Sequence, residues 1–186
     1  MAADDQTAIV TILPQIMQDL RVPITELNTA SWTITAYLLG YVAAMPLIGR
    51  LSDIFGHRRL FVLSMLLFMA GSIATALSPN LSVLIMMRVI QAVGAGALVP
   101  ISIALVGDLL PPGKRGLALG LIGGAAEAGG VIGPLWGGII IRYLDWRWVF
   151  WINVPLGIAV IIGVMFMLAR SPRNAAKLDY LSGGLI

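Results

Sequence analysis

The residues best placed to do chemistry in this chain are charges set inside apolar runs. Glu127 interrupts residues 116–144, Arg88 is the one charge within 81–106, and Asp5 stands just before the apolar residues 8–17. A charge at membrane depth needs a partner or a task. Glu127 follows a basic loop by about 12 residues, which puts it roughly 18 Å along a helix, near a bilayer midplane. At 100° per residue it shares a face with Gly116, Gly120, Gly123, Pro134 and Gly138, so it points along a seam of small residues where a second helix or a cavity is expected. Two readings stand for it: a reversible proton carrier, or a static hydrogen bond to a neighbouring helix. Arg88 lies one helical turn from Gln91, on a face continuing through Ala92, Ala95, Val99 and Ser102. An arginine keeps its proton, so Arg88 cannot carry one; it would hold a nearby carboxylate charged or in place, or form a purely structural pair. Asp5 is the third candidate, with exposure at a frayed helix end as its alternative.

The elements that must position these groups are membrane helices. The chain is 59% hydrophobic and 11% charged, with mean hydropathy +0.93, far from the composition of a water-soluble domain. A polytopic, all-α membrane bundle follows. Residues 8–17 are too short to span and are expected to be the second half of a truncated first helix. Residues 30–49, 60–77, 81–106, 116–144 and 148–169 are full spans, and 181–186 begin another apolar run. Residues 1–169 are thus expected to form a six-helix bundle, and 170–186 a cytoplasmic linker leading into the next helix. With helices expected at both ends, the chain is expected to be part of something longer.

Between the spans lie short basic loops, 50–59 and 108–115. Eight arginines and lysines (Arg50, Arg58, Arg59, Lys114, Arg115, Arg170, Arg173 and Lys177) fall on one side, against Arg21, Arg142 and Arg147 on the other. The richer side is expected to be cytoplasmic. The net charge of +3 is explained by these loops, and no nucleic-acid partner is read from it. There is no cysteine, no zinc spacing, no phosphate-binding loop and no hydrolase serine elbow, so no metal, no cofactor and no enzymatic site is expected. The single histidine, His57, is expected to be solvated. Two readings stand for the first basic loop, and spacing does not choose between them: a plain positive-inside hairpin, or a charge cluster in which Asp53 pairs with Arg58 and joins Asp108 of the second loop. Gly129, Gly133 and Gly137 recur every four residues, as do Gly130, Pro134 and Gly138, which clears two adjacent strips for close helix contact, with a bend at Pro134.

Several strings resemble one family. Residues 49–59, GRLSDIFGHRR, are similar to the GxLaDrxGrkx loop of major facilitator superfamily transporters, matching at Gly49, Leu51, Asp53, Gly56 and Arg58, with Arg59 at the open last position. Ile54 stands where an arginine is usual, and His57 replaces another basic residue. Gly129, Gly133, Pro134, Gly137 and Gly138 match every fixed position of the GxxxGPxxGG antiporter signature. Arg88, Gln91, Gly94 and Ala95 resemble RxxQGxGA, with Ala92 in place of glycine. Asp5, Thr7, Leu13 and Pro14 resemble the first-helix motif, although Asp4 stands where an apolar residue is usual. WRWVFWINVPLG (146–157) is similar to WRWxFxxNxPxG at the start of helix six.

The resemblance is to the N-terminal half of a 14-span drug:proton antiporter of the drug:proton antiporter-2 branch, a multi-pass protein of the cell (inner) membrane. It implies alternating access against a C-terminal bundle absent from this chain, with protons driving export of amphipathic small molecules. By position, Asp5, Arg88 and Gln91 would serve proton and substrate coupling. Gly133 and Pro134 would limit leak, and Asp53, Arg58 and Asp108 would form a cytoplasmic lock. Glu127 lies outside the family signature. The alternatives are a superfamily member moving sugars, metabolites or lipid precursors, and a non-transporting membrane fragment that pairs with other transporter helices.

Overall fold

The computed structural model describes residues 2–169. The expected linker and the start of a further helix, 170–186, lie outside the described residues. Within them the chain is all-helical: α1 (Ala2–Asp19), α2 (Leu27–Phe55) after a single 3-10 turn, α3 (His57–Ala76), α4 (Leu81–Leu109), α5 (Pro112–Tyr143), a short α6 (Trp148–Trp151) and α7 (Asn153–Ala169). Five of these segments, counting α6 and α7 as one, are long and apolar enough to cross a membrane. The helix is favoured there because it satisfies every backbone polar group within one segment.

The helices run further than the apolar spans. Residues 50–55 are not a loop but the last turns of α2, and the reversal into α3 is made at Gly56 alone, with φ +92°. Only glycine takes that conformation without strain. The second basic loop is shortened from its other side: Pro112 opens α5, where its missing N–H costs nothing. Arg115 folds back to donate Nε to the Leu110 carbonyl (2.9 Å) and Nη2 to the Gly107 carbonyl (2.7 Å), capping α4. α1 likewise begins well before its apolar stretch and takes in Asp4 and Asp5. Pro155 explains the break between α6 and α7, since it cannot donate to the Trp151 carbonyl four residues back.

Packing centres on three helix contacts. α4 lies between α2 and α3, while α5 packs along α1. Tyr37, Phe61, Met65, Phe68, Ala92 and Ile101 form one buried cluster, and Ile9, Ile12, Ile16, Leu84, Trp146 and Phe150 another. At one end of the bundle Trp146 is fully buried and donates Nε1 to Asp19 (3.2 Å). Beside it Arg147 pairs with Asp19 at 2.9 Å and donates Nε to the Ala76 carbonyl at 3.0 Å. The turn after α5 is thereby fastened to the ends of α1 and α3.

Candidate functional site

Five polar side chains from four helices close into a ring in the middle of this apolar bundle. Arg88 of α4 forms a salt bridge with Asp5 of α1 through Nη1, which also donates to Gln91 Oε1 at 2.8 Å. Gln91 passes the chain on, donating Nε2 to Ser72 Oγ of α3 at 2.6 Å. Asn153, at the start of α7, donates Nδ2 both to Ser72 Oγ (3.2 Å) and to Asp5 Oδ1 (2.9 Å), which completes the circuit. All five side chains are buried, with exposure from 0% to 4%. Around the ring, Arg88 donates Nε to the Thr33 carbonyl of α2 (3.4 Å), and its guanidinium lies 3.9 Å from the Tyr37 ring centroid. Burying a charge is costly unless it is paired and hydrogen-bonded; Asp5 and the Nη1 and Nε of Arg88 are, while Arg88 Nη2 has no hydrogen-bond partner among the described residues.

Local structure explains the placement. Arg88 and Gln91 are three residues apart on one face of α4, so they meet at one level. Gly71 lets α3 come close: a β-carbon there would stand 2.6 Å from Gln91 Cα. The interruption before Asn153 brings that amide to the head of a new helix beside α1. Asp5 is 2% exposed and does not lie at a frayed end, because α1 has already begun at Ala2 and α4 holds its carboxylate. Of the ring, Asp5, Arg88 and Gln91 were legible as candidates. Ser72 and Asn153 were not singled out as site residues; Asn153 had a signal as the polar residue inside WRWVFWINVPLG, whereas one serine among apolar residues has none.

Three expectations need correction. The first concerns Glu127, which is exposed and has no described helix opposite it. α5 offers the bundle one narrow face, with Gly129, Gly133, Gly137 and Ile140 buried, and Glu127 lies 200° around from Gly129. The glycine seam therefore finds its partner inside this chain: Gly133 meets Thr7, and its β-carbon position would be 2.6 Å from the Asp4 carbonyl oxygen. The second strip behaves differently, for Pro134 is exposed and Gly130 has open space. Gly138 is half-buried near Thr11. α5 is one continuous helix through Pro134.

The second and third corrections lie at the opposite end from Trp146. Asp53 does not pair with Arg58. Arg58 sits one position further round α3 and donates Nη2 to Met165 Sδ of α7 at 3.1 Å. His57 takes the place expected of Arg58, and it is not simply solvated: its ring is 20% exposed, with Nε2 3.0 Å from Asp53 Oδ1 and Nδ1 2.6 Å from Asp108 Oδ2. Gly49, Gly56, Arg58 and Arg59 shape the same end without entering that bridge.

A buried ion pair inside a bundle of helices long and apolar enough to cross a membrane marks a polytopic helical membrane protein. A family model described as Major Facilitator Superfamily matches residues 1–182, and the chain belongs to that superfamily of transporters rather than to an enzyme family. Over 192 residues it is 44% identical to a triacylglyceride transporter of Mycobacterium tuberculosis, covering 100% of this chain and 37% of the relative. A triacylglyceride transporter of Mycolicibacterium smegmatis is 38% identical over 189 residues, covering 100% of this chain and 34% of its own length. The chain thus spans little more than a third of these relatives. Its backbone is similar to a proton:xylose symporter, XylE (TM-score 0.74, 18% identity, 90% of this chain and 41% of that one). It also resembles a bacterial homologue of the human lysosomal transporter Spinster (TM-score 0.68, 18% identity, 91% and 40%). At such identities the likeness concerns the fold.

Proposed function

We propose that this chain is the N-terminal bundle of a proton-coupled secondary transporter of the cell membrane whose cargo is a neutral lipid of the triacylglyceride class. The observation that carries the cargo assignment is the 44% identity, over the whole chain, to proteins named as triacylglyceride transporters. Export of drugs, which the motifs alone suggested, has no such support among these relatives. A crevice of about 420 Å³ between α3, α4, α5 and α7 agrees with an apolar cargo, being walled by Phe61, Leu105, Leu109, Leu121, Ile122 and Val164. Proton antiport is kept in the proposal on the strength of the GxxxGPxxGG string and of two carboxylates, Asp5 and Glu127. Asp5 is set in the buried ring; Glu127 stands on the face of α5 that a second bundle would meet. Cargo moves by alternating access, with this bundle rocking against another. Residues 170–186 serve as the linker between them.

The test is transport by a full-length protein carrying this bundle, reconstituted in proteoliposomes with a pH gradient. A fluorescent triacylglyceride should move with the gradient, while ethidium should not. Ethidium movement without lipid movement would restore the drug-export reading.

A further inference from the structure

We infer that His57 is a proton-binding site that clasps the ends of α2, α3 and α4, closed when the imidazole carries two protons and open when it carries one. The geometry fits this. A neutral imidazole has a single N–H, so it can donate to one carboxylate only and must turn a lone pair toward the other. In this bundle each ring nitrogen faces its own carboxylate, Asp53 on α2 and Asp108 on α4, at 3.0 and 2.6 Å. Between two carboxylates, both contacts are attractive only for the imidazolium. An arginine here would hold the same carboxylates at every pH, so a histidine makes the contact conditional on a proton.

Other charges among the described residues do not compensate. Among those residues, Asp53 and Asp108 are the acidic side chains in ion-pair contact with His57. On α3, Arg58 turns to Met165, and on α5 Arg115 is occupied by the Gly107 and Leu110 carbonyls. No ion pair joins Arg50 of α2, Arg59 of α3 or Lys114 of α5 to this cluster. The apolar stretch of α3 begins at Leu60, leaving His57 at the aqueous end of the helix. The hydrogen bond to Asp53, helped by Asp108, raises its pKa above the ordinary value of 6.5 despite partial burial. A raised pKa sets the sign: the clasp holds fully below about pH 6.5 and is lost as pH rises through the higher, clasped value. That window includes near-neutral pH, on the side that the loop charges assign to the cytoplasm. The clasp is independent of which cargo the transporter moves.

His57 is the single histidine of the chain, and there is no cysteine, so both ends of the contact can be followed without interference. Nitrogen-15 spectra of the histidine-labelled 186-residue chain in lipid nanodiscs should show both ring nitrogens protonated at pH 6. The midpoint should lie above 6.5 and fall in D108N. A midpoint at or below 6.5, or one unmoved by D108N, overturns the assignment. Spin labels at I54C and K114C, on the two exposed flanks, then read the clasp itself. The distance distribution should be narrow at pH 6 and broad at pH 8.5. In H57R it should be narrow at both pH values, and in H57Q broad at both. Equal distributions at pH 6 and 8.5 with His57 in place would overturn the clasp, and so would pH dependence retained in H57R.

Discussion

Arg88 cannot give up its proton, so the state of the buried ring is decided by its partner carboxylate and by the amides that surround both. Removing the arginine should therefore cost far more than removing a contact. In Arg88→Met, Asp5 keeps Asn153 but loses its counter-charge inside the bundle, a change that costs about 3–5 kcal/mol when a buried pair is broken on one side. Replacing both partners, as in Asp5→Leu with Arg88→Met, should recover part of the loss, because no charge is then stranded. Thermal unfolding in detergent micelles measures both. A double variant as unstable as Arg88→Met alone would show that the pair is not what holds the site. Asn153→Leu is the matching test of the ring: it strips Asp5 Oδ1 and Ser72 Oγ of a shared donor, and should cost about 1–3 kcal/mol.

At the scale of elements, α5 has two glycine strips with different fates. Gly133 touches α1 so closely that any side chain must push the two helices apart, whereas Gly130 has open space around it. Gly133→Leu should destabilise the bundle by about 1–3 kcal/mol or more, the usual range for overpacking a tight contact. Gly130→Ala should leave stability nearly unchanged. Because Thr7 and Asp4 line the contact, Gly133→Leu also disturbs the turn of α1 that carries Asp5. Protein yield and unfolding midpoint of the two variants, compared side by side, check the assignment; equal effects would mean that the strips are equivalent.

For the whole molecule, what matters is what one bundle can do. Alternating access needs two bodies that rock about a shared site. The 186-residue chain alone should therefore move neither a neutral lipid nor a lipophilic cation in proteoliposomes, and flux by the chain alone would refute this. If the chain instead only pairs with other transporter helices, it should co-purify with them and change no flux. In a full-length protein, Glu127→Gln should flatten the pH dependence of transport if that exposed carboxylate exchanges protons across the bundle interface. Unchanged transport across pH would make Glu127 structural.

Run length and composition were enough to establish the membrane bundle, since lipid admits few ways to satisfy a backbone and a helix of about 20 apolar residues is the simplest. Spacing made Arg88 and Gln91 neighbours on one face, and the glycines every fourth residue a contact surface, because the helical period is local. Three matters were decided only by the tertiary structure. Which strip of α5 is used depends on where α1 lies. Whether Asp5 is buried depends on α4 and α7 reaching it. And His57 becomes a bridge only because α4 ends beside the Gly56 turn, placing Asp108 against a ring that Asp53 already holds. Partners 51 to 148 residues apart meet through packing, and no local pattern along the chain records their distance.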